Sequence, residues 1–295
     1  MSGKQSVLQT RLAANVQWED KSSNNEILIS PPAGWLLLDL RELIEYRELL
    51  YFLIWRDLKV RYKQTVLGVA WAILQPLLAM LVFSVFFGWF AGMSSDGVPY
   101  PLFAYTALVP WTFFANAVAQ ASNSLIEHER MLTKVYFPRL FIPLAAVLSG
   151  LVNFCIAFVM LIGLMMYYGL FPTLAILTVP LFVLLAAISA FAVSLWLSAL
   201  NVRYRDVRYI VPFLLQLWLF ITPIVYSISI IPERWRPFYS LNPMVGVVEG
   251  FRWALFKGAD APNGMLFISA LIMVLLLVSG LFYFRRVEDT FADVI

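Results

Sequence analysis

The sequence predicts an all-α, polytopic membrane protein, and three observations carry that reading. Hydrophobic residues make up 61% of the 295, and charged residues only 13%. About six long apolar runs fill residues 66–284, each continuous, whereas the strands of a membrane barrel alternate in polarity over about ten residues. The interiors of these runs hold no Asp, Glu, Lys, Arg or His. Lipid offers backbone groups no hydrogen bonds, so uninterrupted apolar segments of this length read as spanning helices. Ion-driven carriers and intramembrane enzymes place an ionisable group at bilayer depth, although it costs about 2.5–3.5 kcal/mol. Its absence here points to a driving force supplied by a partner. The one cysteine, Cys155, excludes an internal disulfide and reads as a small buried side chain. The net charge of +3 gives no sign of nucleic-acid binding, because Lys and Arg gather beside the apolar runs as membrane-flanking residues do.

Taken in order, residues 1–32 form a polar tail without the apolar core of a secretory signal. Residues 33–63 are expected to hold an amphipathic helix, and residues 64–295 the six-span domain with a short tail. Leu40, Leu43, Ile44, Tyr51, Ile54, Trp55 and Leu58 recur at three- and four-residue spacings, with most charges elsewhere on the wheel. Such a helix would lie in the membrane interface. Arg56, Lys59, Arg61 and Lys63 would then meet anionic lipid, each worth about 1 kcal/mol. Packing on the protein's own cytoplasmic parts is the other reading, and the two are compatible.

The spans are expected at residues 66–90, 100–121, 140–168, 173–200, 209–231 and 264–284. Pro76 sits inside the first and should kink it. Lys and Arg alternate between the connections. The first and third have none, the second has Arg130, Lys134 and Arg139, and the fourth has Arg203, Arg205 and Arg208. This pattern puts both termini and the second and fourth loops in the cytoplasm. Residues 232–263 break the alternation and are too long for a plain turn.

Two connections carry local signals. Ser124-Leu125-Ile126-Glu127 reads as a capping box opening a short helix over 124–136, with Glu127 and Glu129 in its first turn and Pro138 as its stop. This helix is either a lever that docks into a cytoplasmic motor subunit or a solvated connector. His128, the only histidine, has no second imidazole for a metal site and is expected at the surface. In the outer segment, Asn242-Pro243 is an N-cap with Pro at the first helical position, and Met244, Val247, Val248, Phe251 and Leu255 form one stripe. About 15 residues reach only some 22 Å, too short to span, so a re-entrant or interfacial helix is expected, resting on protein. With Trp235 it is either an outer gate or a static cap.

Among the deeper aromatics, Trp111, Phe113, Phe114 and Trp218 either line a passage along which a glycan slides or pack in the core. Gln75, Asn116, Gln120, Asn153, Gln216 and Thr222 either bond between helices, the reading favoured for most, or line a polar path. No phosphate-binding G-x-x-x-x-G-K-[ST] loop occurs, nor paired carboxylates, H-E-x-x-H or G-x-S-x-G. A membrane-embedded glycan-modifying enzyme is disfavoured by the sparse outer carboxylates Asp96, Glu233, Glu249 and Asp260.

Residues 55–65 (WRDLKVRYKQT), Leu67-Gly68 through Gln75-Pro76, residues 133–139 (TKVYFPR), residues 201–206 (NVRYRD), Leu241-Asn242-Pro243-Met244 and Gly250-Phe251-Arg252 fall in order against the spans. In this the chain resembles the permease subunits of ABC exporters of the polysaccharide branch, over roughly residues 33–285. The resemblance implies a homodimer in the bacterial inner membrane, paired with a dimer of a separate ATPase that carries the ATP and Mg. It implies a substrate of lipid-linked O-antigen, capsule or teichoic-acid type, and no cofactor or catalysis in this chain. It also implies an ATPase-coupling helix with Ser124, Glu127, His128, Glu129 and Arg130. Lipid-linked substrate would approach at Arg56, Lys59, Arg61 and Lys63, and outer gate helices would carry Trp235, Met244, Val248 and Phe251. An ABC exporter of a smaller hydrophobic molecule is the alternative.

Overall fold

The chain divides into residues 1–36 and residues 37–295. The computed structural model describes residues 44–63, 68–132, 137–257, 261, 264–288 and 291, the side chains of 68 and 69 excepted. The expected tail, the interface helix before residue 44, the first span's opening residues 66–67, Lys134 with the rest of 133–136, Gly258 and Asp260 lie outside the described residues.

Within 37–295 the regular elements are all helices, with no strand among the described residues. Helix α1 is Arg47–Lys63. Helix α2, Gly68–Phe83, runs on as one π-helical stretch, Ser84–Phe90. Then come α3 Tyr100–Glu127, α4 Glu129–Leu132 and α5 Phe141–Tyr167. A 3₁₀ turn, Leu174–Thr178, leads into α6 Val179–Arg203, and α7 is Val207–Ile221. Two 3₁₀ turns, Ile228–Ile230 and Glu233–Trp235, precede α8 Arg236–Tyr239, α9 Pro243–Leu255 and α10 Gly264–Glu288.

Helix α3 is the hub. It packs against α5 and α6 along its length, and also against α2, α7 and α9. Ala107, Ala117 and Ala121 on α3, Ala145, Ala146 and Ser149 on α5, and Ala186, Ala190 and Ala199 on α6 are all buried. Small side chains let backbones approach closely, which drives association where lipid tails are as apolar as the helices. At Gly280 of α10 an added Cβ would come within 3.0 Å of the Ala192 carbonyl oxygen, so the α6–α10 approach requires glycine there.

Among the described residues five helical segments are long and apolar enough to cross a bilayer: Ala70–Phe90, Tyr100–Glu127, Phe141–Tyr167, Leu174–Arg203 and Gly264–Glu288. The expected span at 209–231 is built differently. Its helix, α7, has 15 residues and reaches about 22 Å, against a hydrocarbon core of about 30 Å. Pro223 explains the stop: it pushes the preceding Thr222 to an extended conformation (φ −83°, ψ 137°).

Three further expectations are corrected. Ser124 is not an N-cap: it lies inside α3, buried, and its hydroxyl donates to the Ala121 carbonyl at 2.7 Å. The burial of Leu125 in the core outweighs the local capping preference, and α3 ends only at His128. Helix α1 does not separate into one apolar and one polar face. Leu53 is sealed against Phe141 and Ala145 of α5, while Tyr51, Phe52, Trp55 and Val60 are exposed on other sides. Packing of α1 on the protein, one of its two compatible readings, is thus observed. Cys155 is exposed on α5 rather than buried.

Candidate functional site

One end of the bundle gathers the charged loops. There the last turn of α3 meets α1, and Asn201 of α6 donates to the Ser122 carbonyl at 2.9 Å and to Asn123 Oδ1 at 3.0 Å. Arg139, just before α5, donates to the Glu288 backbone carbonyl at the end of α10.

At this end α3 breaks into an elbow at His128, whose N–H bonds back to the Ser124 carbonyl at 3.1 Å. The imidazole turns inward rather than to the surface. Its Nδ1 lies 2.6 Å from the Ser124 carbonyl, which can only accept, so Nδ1 carries the hydrogen. Its Nε2 faces Arg56 Nη2, which can only donate, and lies 4.0 Å from Asp57 Oδ1. Arg56 also pairs with Asp57 at 2.9 Å and approaches Met131 Sδ at 4.0 Å. Helix α1 is therefore tied to both arms of the elbow. Glu127, Glu129 and Arg130 lie on its exposed side. A cavity lined by Asn123, Ile126, Glu127, Arg208 and Tyr209 opens beside them and brings the start of α7 to the same place. Arg203 and Arg205 are exposed nearby in sequence, Arg203 lying 5.6 Å from the Tyr204 ring.

From the elbow a cleft runs into the spans between α1, α2, α3 and α5. Its charged part, about 340 Å³, is lined by Arg56, Asp57, Val60, Arg61, Gln120, Ser124, Glu127, His128 and Ala146. Its deeper part, about 370 Å³, is lined by Arg61, Tyr62, Trp71, Ala72, Gln75, Pro76, Thr112, Phe113, Asn116, Gly150, Asn153, Phe154 and Ala157. Arg61 borders both parts and donates to Gln120 Oε1. The Tyr62 hydroxyl donates to Asn153 Oδ1, and burial raises the Tyr62 pKa against the opposing pull of Arg61. Asn153 lies 12 residues into α5, some 18 Å along its axis, so the last turn of α1 reaches far past the first turns of α5.

The four basic residues of α1 thus do not share one surface. Arg56 and Arg61 are drawn inward by partners, while Lys59, at 4.4 Å over the Trp55 ring, and Lys63 are exposed. The four deep aromatics do not line one passage either. Phe113 borders the cleft, but Trp111 and Phe114 are packed in the core, and Trp218 is half-buried edge-on to Phe114 at 5.2 Å. Of the polar residues, Gln120 and Asn153 bond between helices to Arg61 and Tyr62, and together with Gln75 and Asn116 they line the cleft, so both readings of these residues are represented. The available signal was the spacing of Thr112, Asn116 and Gln120, which puts them on one face of α3.

At the opposite end, Asn242 caps α9 by accepting from the Met244 N–H at 3.0 Å and donates to Thr222 Oγ1 at 2.9 Å. Met244, Val248 and Phe251 are fully buried in α9, whereas Trp235 is about half exposed, so these four are not one gate surface. The same helix buries an ion pair that the reading of the long apolar runs had no reason to expect. Arg252 Nη1 lies 2.7 Å from Glu249 Oε1, and Arg252 Nη2 donates to the Ile224 carbonyl at 3.2 Å. The guanidinium carbon sits 3.7 Å from the centre of the Phe103 ring. Burial holds the Glu249 carboxyl above its usual range, with Arg252 opposing. Asp96 accepts from Ser227 and, at 3.0 Å, from Ser229, tying loop 91–99 to the segment after α7.

Comparison with known proteins accounts for this arrangement. Residues 48–256 match the family described as ABC-2 type transporter. The chain is 33% identical over 253 residues to the O-antigen export system permease protein RfbA of Myxococcus xanthus, covering 84% of this chain and 96% of that protein. It is 31% identical over 243 residues to the protein of the same name in Klebsiella pneumoniae, covering 81% and 92%. The polysialic acid transport protein KpsM of Escherichia coli is 23% identical over 235 residues, covering 79% and 91%. With a family match over most of its length and helices to cross the bilayer several times, the chain belongs to the ABC-2 type transporter family as a multi-pass membrane permease.

Proposed function

We propose that this permease exports a lipid-linked polysaccharide of O-antigen or capsule type across the bacterial inner membrane. A second copy of the chain and a separate dimeric ATPase, which binds the ATP and Mg, complete the exporter. Both termini and the elbow face the cytoplasm, in line with the Lys and Arg of the elbow end. The observation that carries the reading is the junction of the elbow with α1 at the mouth of the cleft. An ATPase pushing on the exposed Glu127, Glu129 and Arg130 moves α3, and the Arg56–His128 contact passes that motion to α1. Because α1 forms one wall of the cleft, the motion reshapes it. Arg56 is then a mechanical link, and Lys59 and Lys63 are the residues that meet lipid headgroups. The side-chain amides of the cleft favour a hydroxyl-rich substrate over a small hydrophobic one.

The test is co-purification with a candidate ABC ATPase from the same organism, followed by hydrolysis measured with and without lipid-linked glycan. Stimulation is expected. Glu127→Arg combined with Glu129→Arg should abolish both stimulation and export while membrane insertion stays normal. Unchanged export in that variant removes the coupling role of the elbow.

A further inference from the structure

We infer that the deep part of the cleft is a binding site for one sugar ring of the substrate, held by the amides of Gln75 and Asn116 against the rings of Trp71, Phe113 and Phe154. The inference deepens the export reading and rests on it for the source of the sugar. Asn116 lies 16 residues into the 28-residue α3, near the middle of that span. Among the described residues, neither Gln75 nor Asn116 bonds to another side chain or to backbone through its amide. An amide has two donors and an acceptor with two lone pairs. Both amides open onto the cleft, Gln75 exposed and Asn116 half-buried, so water can serve them, and a ligand that displaces that water must supply both donors and acceptors.

The lining narrows the class of that occupant. Among the described residues no carboxylate borders the deep part, so a cation has no counter-charge there. Its one cation, Arg61, lies at the shared boundary with the charged part and is already bonded to Gln120, so the amides themselves face a neutral group. Hydroxyls both donate and accept, and the C–H faces of a sugar pack on aromatic rings, as the edge-to-face pair Phe113–Phe154 at 5.9 Å allows. The volume, about 370 Å³, suits one ring or two and excludes a coiled chain. Arg61 at the boundary is placed to meet the phosphate that joins the sugar to its lipid, so the ring that binds here is the one next to the lipid.

The experiment uses the permease–ATPase complex in vesicles and follows hydrolysis as two probes are added. One probe is a polyprenyl diphosphate without sugar, and the other is the same lipid carrying a single hexose. Gln75→Leu and Asn116→Leu should raise the half-saturating concentration of the hexose-bearing lipid roughly tenfold and leave that of the sugar-free lipid unchanged. An equal shift for both probes assigns the amides to the lipid or phosphate, and no shift assigns them to water alone; either result overturns the inference. Failure of the wild-type complex to respond to any polyprenyl glycan instead counts against the export reading. A second arm does not depend on export. In a Cys155→Ser background, labelling of Ala72→Cys, which lines the cleft without holding the ring, by a small thiol reagent should slow in an alkyl glucoside but not in an alkyl phosphocholine of equal chain length. Equal labelling in the two detergents overturns the sugar site.

Discussion

Replacing Arg252 with Met strands Glu249 in the core of the end opposite the elbow. The guanidinium has three partners there: the Glu249 carboxylate at 2.7 Å, the Ile224 carbonyl at 3.2 Å and the face of Phe103 at 3.7 Å. Breaking a buried pair by removing one member costs about 3–5 kcal/mol, because the other charge stays behind without compensation. The stranded carboxyl has one escape, which is to take up a proton. Burial already raises its pKa with Arg252 present, so losing Arg252 raises it further. In the unfolded chain a glutamate titrates near about 4.3. Between that value and the raised folded one, the folded variant holds a proton that the unfolded chain has released. Stability therefore falls as pH rises, by about 1.4 kcal/mol per pH unit, until the folded pKa is passed. The variant should melt at a markedly higher temperature near about pH 5 than near about pH 8, with a far steeper dependence than the parent. Adding Glu249→Gln should remove that extra dependence and recover most of the loss. Melting of the detergent-solubilised permease, followed by intrinsic fluorescence, reads all three variants. If Arg252→Met melts like the parent at both pH values, the pair is not buried as described and the reasoning fails.

Two other predictions follow from single contacts. Arg56→Gln should cut ATP-driven export several-fold with basal hydrolysis unchanged, and adding His128→Ala should cost nothing more, since both remove one contact; additive losses in a transport assay would separate the two residues. Gly250→Ala should destabilise by about 1–3 kcal/mol, because the new Cβ would stand 2.6 Å from Cζ of the Phe182 ring. Phe182→Ala should then cost the Gly250→Ala protein less than it costs the parent, and equal costs would place the clash elsewhere.

Much of this architecture was legible in the chain because its signals are local. The runs that became α3, α5, α6 and α10 declare themselves by length and by the absence of charge. Helix α9 does so through Asn242, Pro243 and a stripe with helical spacing. The misreadings share one cause, which is tertiary burial overriding a local preference. Ser124 has the company of a capping box, yet Leu125 beside it is more stable in the core, so the helix continues. Arg56 looks like a headgroup ligand until His128, 72 residues away, supplies a partner for it. The cleft was half visible. Its polar residues stood out singly, and three share a face of α3, but nothing local brings Gln75 or Asn153 to that face.

The claim beneath all of this is that spans with uncharged interiors are driven mechanically from the elbow. Vesicles containing the permease with its ATPase should translocate lipid-linked glycan when ATP is added outside, with no proton or sodium gradient imposed. Vesicles containing the permease alone should be inert under either gradient. Translocation by the lone permease on a gradient would contradict the account.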